Sequence, residues 1–380
     1  MQPLPVPTSA TLIARLTTGP SARLASAGLP STGRIALLLA TLFTMPFAIG
    51  PAMADAPPAS YERGRQAFIA DMVDRHGFSP QTLDTLLAGA RYQQAIVDAM
   101  DRPYEGRPWR EYRRLFLTPE RIQGGIRFRR ANADLLQQAQ TTYGVPAEII
   151  TAIIGVETNY GRNLGRHRVL DALTTLGFSY PRRAEFFRGE LEQLLLLSRD
   201  EGLDLTDALG SYAGALGKPQ FIPSSYRNYA VDFDGDGRRD LWQSDADVIG
   251  SVGSYLARHD WQPGAPIAVP ARLRDMPPAG ITMVDKRPLA PQTTLARLAE
   301  AGVQPLAIDA GAGTDTGNDA DAGAAFAPDR RATLIELDGD GPEYWLGFDN
   351  FYAITRYNHS NLYAMAVLQL SRAIAQAGGE

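Results

Sequence analysis

The sequence predicts an α+β chain, mainly α: two successive helical blocks, a small β subdomain, and a return to helix near the C-terminus. Three observations carry this. Apolar residues recur at three- and four-residue steps through residues 61–143 and again through 144–260. From Pro263 to Gly347 that period gives way to short apolar runs separated by Pro and Gly, the texture of a small sheet. Over 351–377 the helical period returns and completes the first helical subdomain, and no convincing internal repeat is present.

Composition supports a packed protein. With 380 residues, 44% hydrophobic and 21% charged, the chain can bury a sizeable core and build more than one substructure. Residues 1–54 stand apart: they hold Arg15, Arg23 and Arg34, no acidic residue, and an apolar run from Ile35 to Ile49 that ends near Ala52-Met53-Ala54. They read as a secretory signal peptide cut after Ala54. An uncleaved anchor is the weaker reading, because the run is short for a membrane span and Pro46 breaks it. Removing the three arginines leaves 34 basic against 42 acidic residues, or about minus eight. That balance is the opposite of a nucleic-acid-binding protein. There is no Cys, hence no disulfide framework and no Cys to carry a lipid. The mature form is expected to be soluble and periplasmic rather than lipid-anchored.

Within 61–143, Ser79-Pro80 reads as a helix start and His76-Gly77 as a stop. The cluster from Trp109 to Arg114 reads as a solvated helix face, with Tyr112 on a sugar-binding wall as the alternative. Residues 144–260 form the candidate catalytic core, with a long apolar-rich helix around Glu185 to Ser198 and a Gly-rich segment at Gly210 to Gly217. In the β subdomain, 263–350, the stretch 309–329 is rich in Ala, Gly and Asp without periodicity and reads as a flexible insertion. Thr333–Leu337 and Glu343–Phe348, joined by Asp338-Gly339-Asp340-Gly341, read as a β-hairpin.

The segment Gly155-Val156-Glu157-Thr158-Asn159-Tyr160-Gly161 is the most informative. Pro146 can open a helix, and Ile149, Ile150, Ile153 and Ile154 mark one apolar face. Glu157 continues that stripe, four residues after Ile153, where Gly161 can end the helix. A carboxylate so placed is expected to be desolvated, with a raised pKa suited to a general acid. A Glu that caps or ion-pairs at a helix end is the equally weighted alternative.

Asp232, Asp234, Asp236 and Gly237 reproduce the opening of an EF-hand-type loop, in which alternate oxygens face one cation. Arg238 can offer its backbone carbonyl at the seventh position. No Glu stands at the twelfth, so the loop reads as extended; Asp240, Asp245 and Asp247 are the candidates to close it, with Asp247 favoured. A structural Ca²⁺ is therefore expected, and no organic cofactor. Other chemistries lack support. His76, His167, His259 and His359 are scattered without zinc-type spacing, and the Gly-rich stretch has no phosphate-loop ending.

Several stretches together, GVETNYGR at 155–162, LDALTTLGFSYPRRAEFF at 170–187, GSYAGALGKPQFIPSSY at 210–226, the DFDGDGRRDLW loop and ITRYNHSNLYAMAV at 354–367, resemble the membrane-bound lytic murein transglycosylase B family. The resemblance covers nearly all of 61–375. It implies a lysozyme-like core and cleavage of the β-1,4 bond between N-acetylmuramic acid and N-acetylglucosamine in peptidoglycan, giving a 1,6-anhydromuramic product. Glu157 would serve as acid and then base, since the muramoyl 6-hydroxyl replaces water as nucleophile. The same resemblance places Tyr112, Ser211, Gln220, Tyr255, Tyr357, Asn358 and Tyr363 along the saccharide cleft, and Arg182 and Arg183 toward peptide or lactyl carboxylates. It assigns calcium to Asp232, Asp234, Asp236, Arg238 and Asp247, although one extra residue after Trp242 leaves Asp245 or Asp247 open as the closing ligand. The implied partners are peptidoglycan glycan strands, with room for other cell-wall enzymes; the oligomeric state is unknown from sequence. The missing lipidation Cys and the 309–329 insertion depart from the family pattern.

Overall fold

The computed structural model describes residues 56–102, 106–202, 204, 208–306 and 326–379. The expected signal segment 1–54 and most of the expected insertion 309–329 lie outside these residues.

Short-range signals set the first helices. In α1 (Ala59–His76) the chain stops at Gly77, whose φ of 66° is the left-handed conformation that glycine adopts without steric cost. Next, α2 (Pro80–Ala88) begins with Ser79 accepting a hydrogen bond from the Thr82 N–H, which satisfies one orphan donor of the first turn. The chain continues through α3 (Gln94–Met100), the short α4 (Trp109–Tyr112) with a 3₁₀ turn at Arg113–Leu115, α5 (Pro119–Ala131) and α6 (Ala133–Tyr143). Trp109 and Tyr112 are buried, so the expectation of a solvated face over 109–114 does not hold. Arg110 and Arg113 instead reach the distant hairpin turn, pairing with Asp338 at 2.6 Å and with Asp340 at 2.5 Å and Glu343 at 2.9 Å.

The helix carrying Glu157, α7 (Ala147–Thr158), runs through the middle, packed by α5, α6, α11 (Asp245–Ala257) and α14 (Asn361–Gly378). Every residue from Ile149 to Val156 is buried, so the helix has no solvent side and its apolar stripe is part of an all-round core. Nor does Gly161 end it. Asn159 does, at φ 50°, a region where Asn is among the more tolerant residues. Between α7 and α11 lie β1 (His167–Arg168), α8 (Val169–Ser179), α9 (Ala184–Glu201), β2 (Leu209–Gly210) and α10 (Pro223–Tyr229), with α8 packed along α9.

The sheet is built from β3 (Ala268–Leu273), β4 (Met283–Val284), β5 (Thr293–Thr294), β6 (Val303–Pro305), β7 (Arg331–Asp338) and β8 (Pro342–Gly347), with α12 (Leu295–Glu300) between β5 and β6. Its order is β4-β7-β8-β3-β6, with β5 also on β7, and β4 is the parallel partner. The expected hairpin is present as β7 and β8, with Leu334 opposite Leu346 and Ile335 opposite Trp345. Side chains alternate between faces along a strand, and here the two faces enter different cores. Ala332, Leu334 and Leu346 join a small core with Val269, Leu298 and Phe348. Ile335, Leu337 and Trp345 join the large helical one. After β8, α13 (Asp349–Tyr357) leads into α14, which returns to pack on α5 and α7.

Candidate active site

Packing around its last turn positions Glu157. The ring of Tyr160 sits where a Cβ on Gly124, Gly125 or Gly155 would come within 2.7, 2.6 and 2.6 Å of its atoms. Its hydroxyl donates to the Arg121 carbonyl at 2.9 Å, and Phe128 stacks on it at 5.7 Å. Tyr160 itself has φ 61°, which costs a side-chain-bearing residue roughly 1–2 kcal/mol and persists only because these contacts over-determine it. Arg121 donates to the carbonyls of Gly155 and Val156, at 2.7 and 3.2 Å. Thr158 donates to the Lys218 carbonyl at 2.9 Å, tying the helix end to the Gly-rich segment.

Glu157 is half-buried and opens into a cleft of about 720 Å³. Ser211 and Gln220 line the same cleft. The Ser211 hydroxyl accepts from the N–H groups of Ala213 and Ala215, at 3.2 and 3.1 Å, and so shapes the Gly-rich turn. Gly165 is required there: a Cβ on it would lie 1.9 Å from the Gly210 carbonyl oxygen. Gln220, at φ 52°, donates its amide to the carbonyls of Leu164 and Gly217 at 3.2 and 3.0 Å, which holds the amide in one orientation.

A row of tyrosines backs Glu157. Tyr363 donates its hydroxyl to Glu157 Oε1 at 2.6 Å; Tyr357 stacks on Tyr363 at 6.2 Å and donates to the Pro219 carbonyl at 2.7 Å. Tyr255 contacts Tyr357 at 4.7 Å, donates to the Arg356 carbonyl at 2.6 Å, and stacks on His259 at 4.1 Å. Burial first, and then the Glu157 charge, push the Tyr357 and Tyr363 hydroxyls well above the usual phenol range. These phenols therefore stay protonated and act as hydrogen-bond donors, Tyr363 to Glu157 and Tyr357 to the Pro219 carbonyl. Asn358 caps the end of α13 beside Tyr357. Tyr112 is buried between Trp109 and Phe116, near Tyr363, behind the cleft surface.

Arg182 and Arg183 do not line the Glu157 cleft. They border a separate depression of about 890 Å³ with Phe186, Glu190 and Ser224. Arg182 pairs with Asp101 at 3.3 Å, and the Arg183 guanidinium lies 4.4 Å over the Phe186 ring. The residues that sequence reasoning missed are Arg102, Arg107, Asn163, Arg166, His167 and Tyr212, all in the wall around Glu157. Glu157 is the one carboxylate among the described residues of that wall. The available signal was basic residues close in sequence to the Glu157 segment in an acidic chain.

In the acidic loop, oxygens of Asp232, Asp234 and Asp247 lie within 4.8 Å of one another. Asp247 is 1% exposed and accepts from the Phe233 and Asp240 N–H groups at 2.8 and 2.7 Å. Burial pushes its carboxyl up, and the charges of Asp234 and Asp232 add to this. Asp245 faces elsewhere, toward Lys218 at 2.5 Å. Asp236 stands outside the cluster and accepts from the Arg238 N–H at 2.8 Å. Mutually repelling hard oxygens around one point are the donor set that a divalent cation fits.

A central helix of 12 residues whose last turn carries one half-buried carboxylate, beside a cleft of about 720 Å³, belongs to a lysozyme-like fold with a single carboxylate in the described cleft wall. The chain belongs to the family described as the transglycosylase SLT domain, which matches residues 60–372. It is 43% identical over 323 residues to membrane-bound lytic murein transglycosylase B of Escherichia coli (strain K12), covering 82% of each chain. The crystal structure of soluble lytic transglycosylase SltB1 from Pseudomonas aeruginosa is similar with a TM-score of 0.73 and 43% identity, covering 84% of this chain and 100% of that one. Escherichia coli Slt35 in complex with calcium gives 0.70 and 43%, covering 83% and 94%. SltB3 from Pseudomonas aeruginosa in complex with NAG-NAM-pentapeptide gives 0.68 and 32%, covering 84% and 81%.

Proposed function

We propose that Glu157 carries the chemistry of a peptidoglycan lytic transglycosylase. The enzyme cleaves the β-1,4 bond between N-acetylmuramic acid and N-acetylglucosamine and leaves a 1,6-anhydromuramic end. The observation that supports the role of Glu157 is its isolation: a hydrolase of the usual kind needs a second carboxylate flanking the bond as nucleophile or base, and the described cleft wall holds none. Protonated Glu157 gives its proton to the glycosidic oxygen as the bond from C1 breaks. The resulting carboxylate then takes the proton of the muramoyl 6-hydroxyl as that oxygen bonds to C1. One proton leaves Glu157 and one returns, no water is consumed, and the residue is ready for another cycle.

Tyr363 fixes Glu157 Oε1, and Ser211 and Gln220 shape the opposite wall; Tyr112, Tyr255, Tyr357 and Asn358 support the tyrosine row, while Arg182 and Arg183 serve a neighbouring binding depression. Asp232, Asp234 and Asp247 would hold Ca²⁺, with Asp236 and the Arg238 carbonyl completing the loop, and the ion would supply stability rather than chemistry. The division into a helical subdomain (61–143 with 351–377), a core (144–260) and a β subdomain (263–350) gives the cleft Ala95 and Ala99 from the first and Glu157, Ser211 and Gln220 from the second. We assign the enzyme to the periplasm, with residues 1–54 as its export signal; no helix among the described residues is long and apolar enough to cross a membrane. Mass spectrometry of muropeptides released from purified sacculi tests the function. Anhydro ends, one water lighter than hydrolysis products, are expected; reducing ends as the main product would make the enzyme a water-using muramidase.

A further inference from the structure

The wall around Glu157 is cationic in a chain whose net charge is −5. Arg102, just beyond α3, and Arg166, in the loop before β1, both line it and both are exposed. Arg107 is a third guanidinium in the same wall. Several arginines elsewhere are matched by carboxylates: Arg65 bonds Glu62 and Asp84, Arg75 bonds Glu192, and Arg113 bonds Asp340 and Glu343. Of Arg182 and Arg183, the two arginines that the resemblance placed toward substrate carboxylates, Arg182 is matched too, by Asp101. Arg102 and Arg166 have no side-chain ion pair or hydrogen bond among the described residues, and the cleft wall supplies no carboxylate to them other than Glu157.

Resting on the lytic transglycosylase reading, we propose that Arg102 and Arg166 are specificity-determining residues that bind carboxylates of the substrate, those of the lactyl and stem-peptide substituents on the glycan strand. A guanidinium presents a planar fork of donors matched to a carboxylate, and two of them on one wall favour a strand that bears anionic substituents over a neutral one. They share one cleft with Glu157, so the anion is read within the cleft that holds the reacting bond, whereas Arg182 and Arg183 border a different depression. The same positive wall would concentrate an anionic polymer at the mouth of a protein that otherwise repels it.

The test uses the full mature chain. Kinetics are measured for the wild type and the double variant Arg102→Gln/Arg166→Gln on sacculi with free carboxylates and on sacculi whose carboxylates have been converted to carboxamides. Binding to both substrates is measured in the Glu157→Gln background, which removes turnover. Melting temperatures confirm that the variants fold. The double variant is expected to weaken binding and raise KM for native sacculi roughly tenfold, which corresponds to two partly solvated charge contacts, with the loss in KM rather than kcat. Amidation is expected to cost the wild type a similar factor and the double variant little. The proposal is overturned if the folded double variant binds native sacculi as the wild type does, or if amidation affects both proteins equally. Absence of anhydro products from the wild type would instead sink the functional reading beneath it.

Discussion

At the scale of single residues, the site depends on where one proton can reside. Glu157→Gln keeps the size of the side chain and its contact with Tyr363 but cannot exchange a proton. The variant is expected to melt as the wild type does and to lose about 10²- to 10⁴-fold in turnover of sacculi. Near-wild-type release of muropeptides by the folded variant would falsify the role. Tyr363→Phe removes the donor that holds Glu157 Oε1 at 2.6 Å. A buried hydroxyl is lost together with its bond, so stability is expected to change by about 1 kcal/mol. The larger effect should be on kcat, by roughly tenfold, as the carboxylate loses its fixed orientation; an unchanged kcat would show that Tyr363 only fills space.

At the scale of elements, α7 and the acidic loop each make a prediction that local propensity alone would get wrong. Gly155 lies inside a helix, where Gly to Ala is worth about 1 kcal/mol of stabilisation by propensity. Here a Cβ would meet the Tyr160 hydroxyl at 2.6 Å and the ring carbons at 2.7 and 2.9 Å. Gly155→Ala should therefore destabilise by about 1–3 kcal/mol through overpacking, read from a denaturant midpoint, and a stabilised variant would mean that Tyr160 can move freely. In the loop, calcium at 100 times its dissociation constant should add about 2.7 kcal/mol if it binds only the folded chain. Asp234→Ala should abolish that increment while leaving the metal-free melting temperature little changed, because Asp234 is exposed. Asp247→Ala should lower the melting temperature even without calcium, because its carboxylate also accepts the Phe233 and Asp240 N–H groups. Identical melting of the wild type in calcium and in chelator would sink the metal assignment.

For the molecule as a whole, three histidines bias stability against acid. Burial is the leading cause that lowers the folded-state pKa of His167, His259 and His359. A depressed folded pKa means that the native state binds the proton less well than the unfolded chain. The stability these groups contribute is therefore fully present above the unfolded value of about 6.5 and is lost as pH falls through their lower folded values. His259 stacks on Tyr255 at 4.1 Å, so acid also bears on the tyrosine row. His259→Phe keeps an aromatic partner and removes one proton site; its melting temperature should fall less steeply below pH 6.5 than that of the wild type. Parallel curves would show that His259 titrates alike in both states.

What the sequence determined by itself was whatever depends on near neighbours. The Ser79 cap, the Gly77 stop, the β7–β8 hairpin and the Asp232–Asp234 pair follow from backbone geometry and spacing over a few residues. Glu157 was legible for the same reason, as a charge inside an apolar run, with the resemblance of the surrounding stretches adding its role. Only the tertiary structure decided which groups meet from afar. It turned Asp247 toward Asp232 and Asp234 and gave Asp245 to Lys218, buried α7 on all sides, and moved the end of that helix from Gly161 to Asn159. It also brought Arg102 and Arg166 into the cleft wall that holds Glu157, while Arg182 went to Asp101. The reason is physical: a side chain's period along its own helix or strand says which way it points, but its partners are set by how distant elements pack, and no local pattern in the chain carries that information.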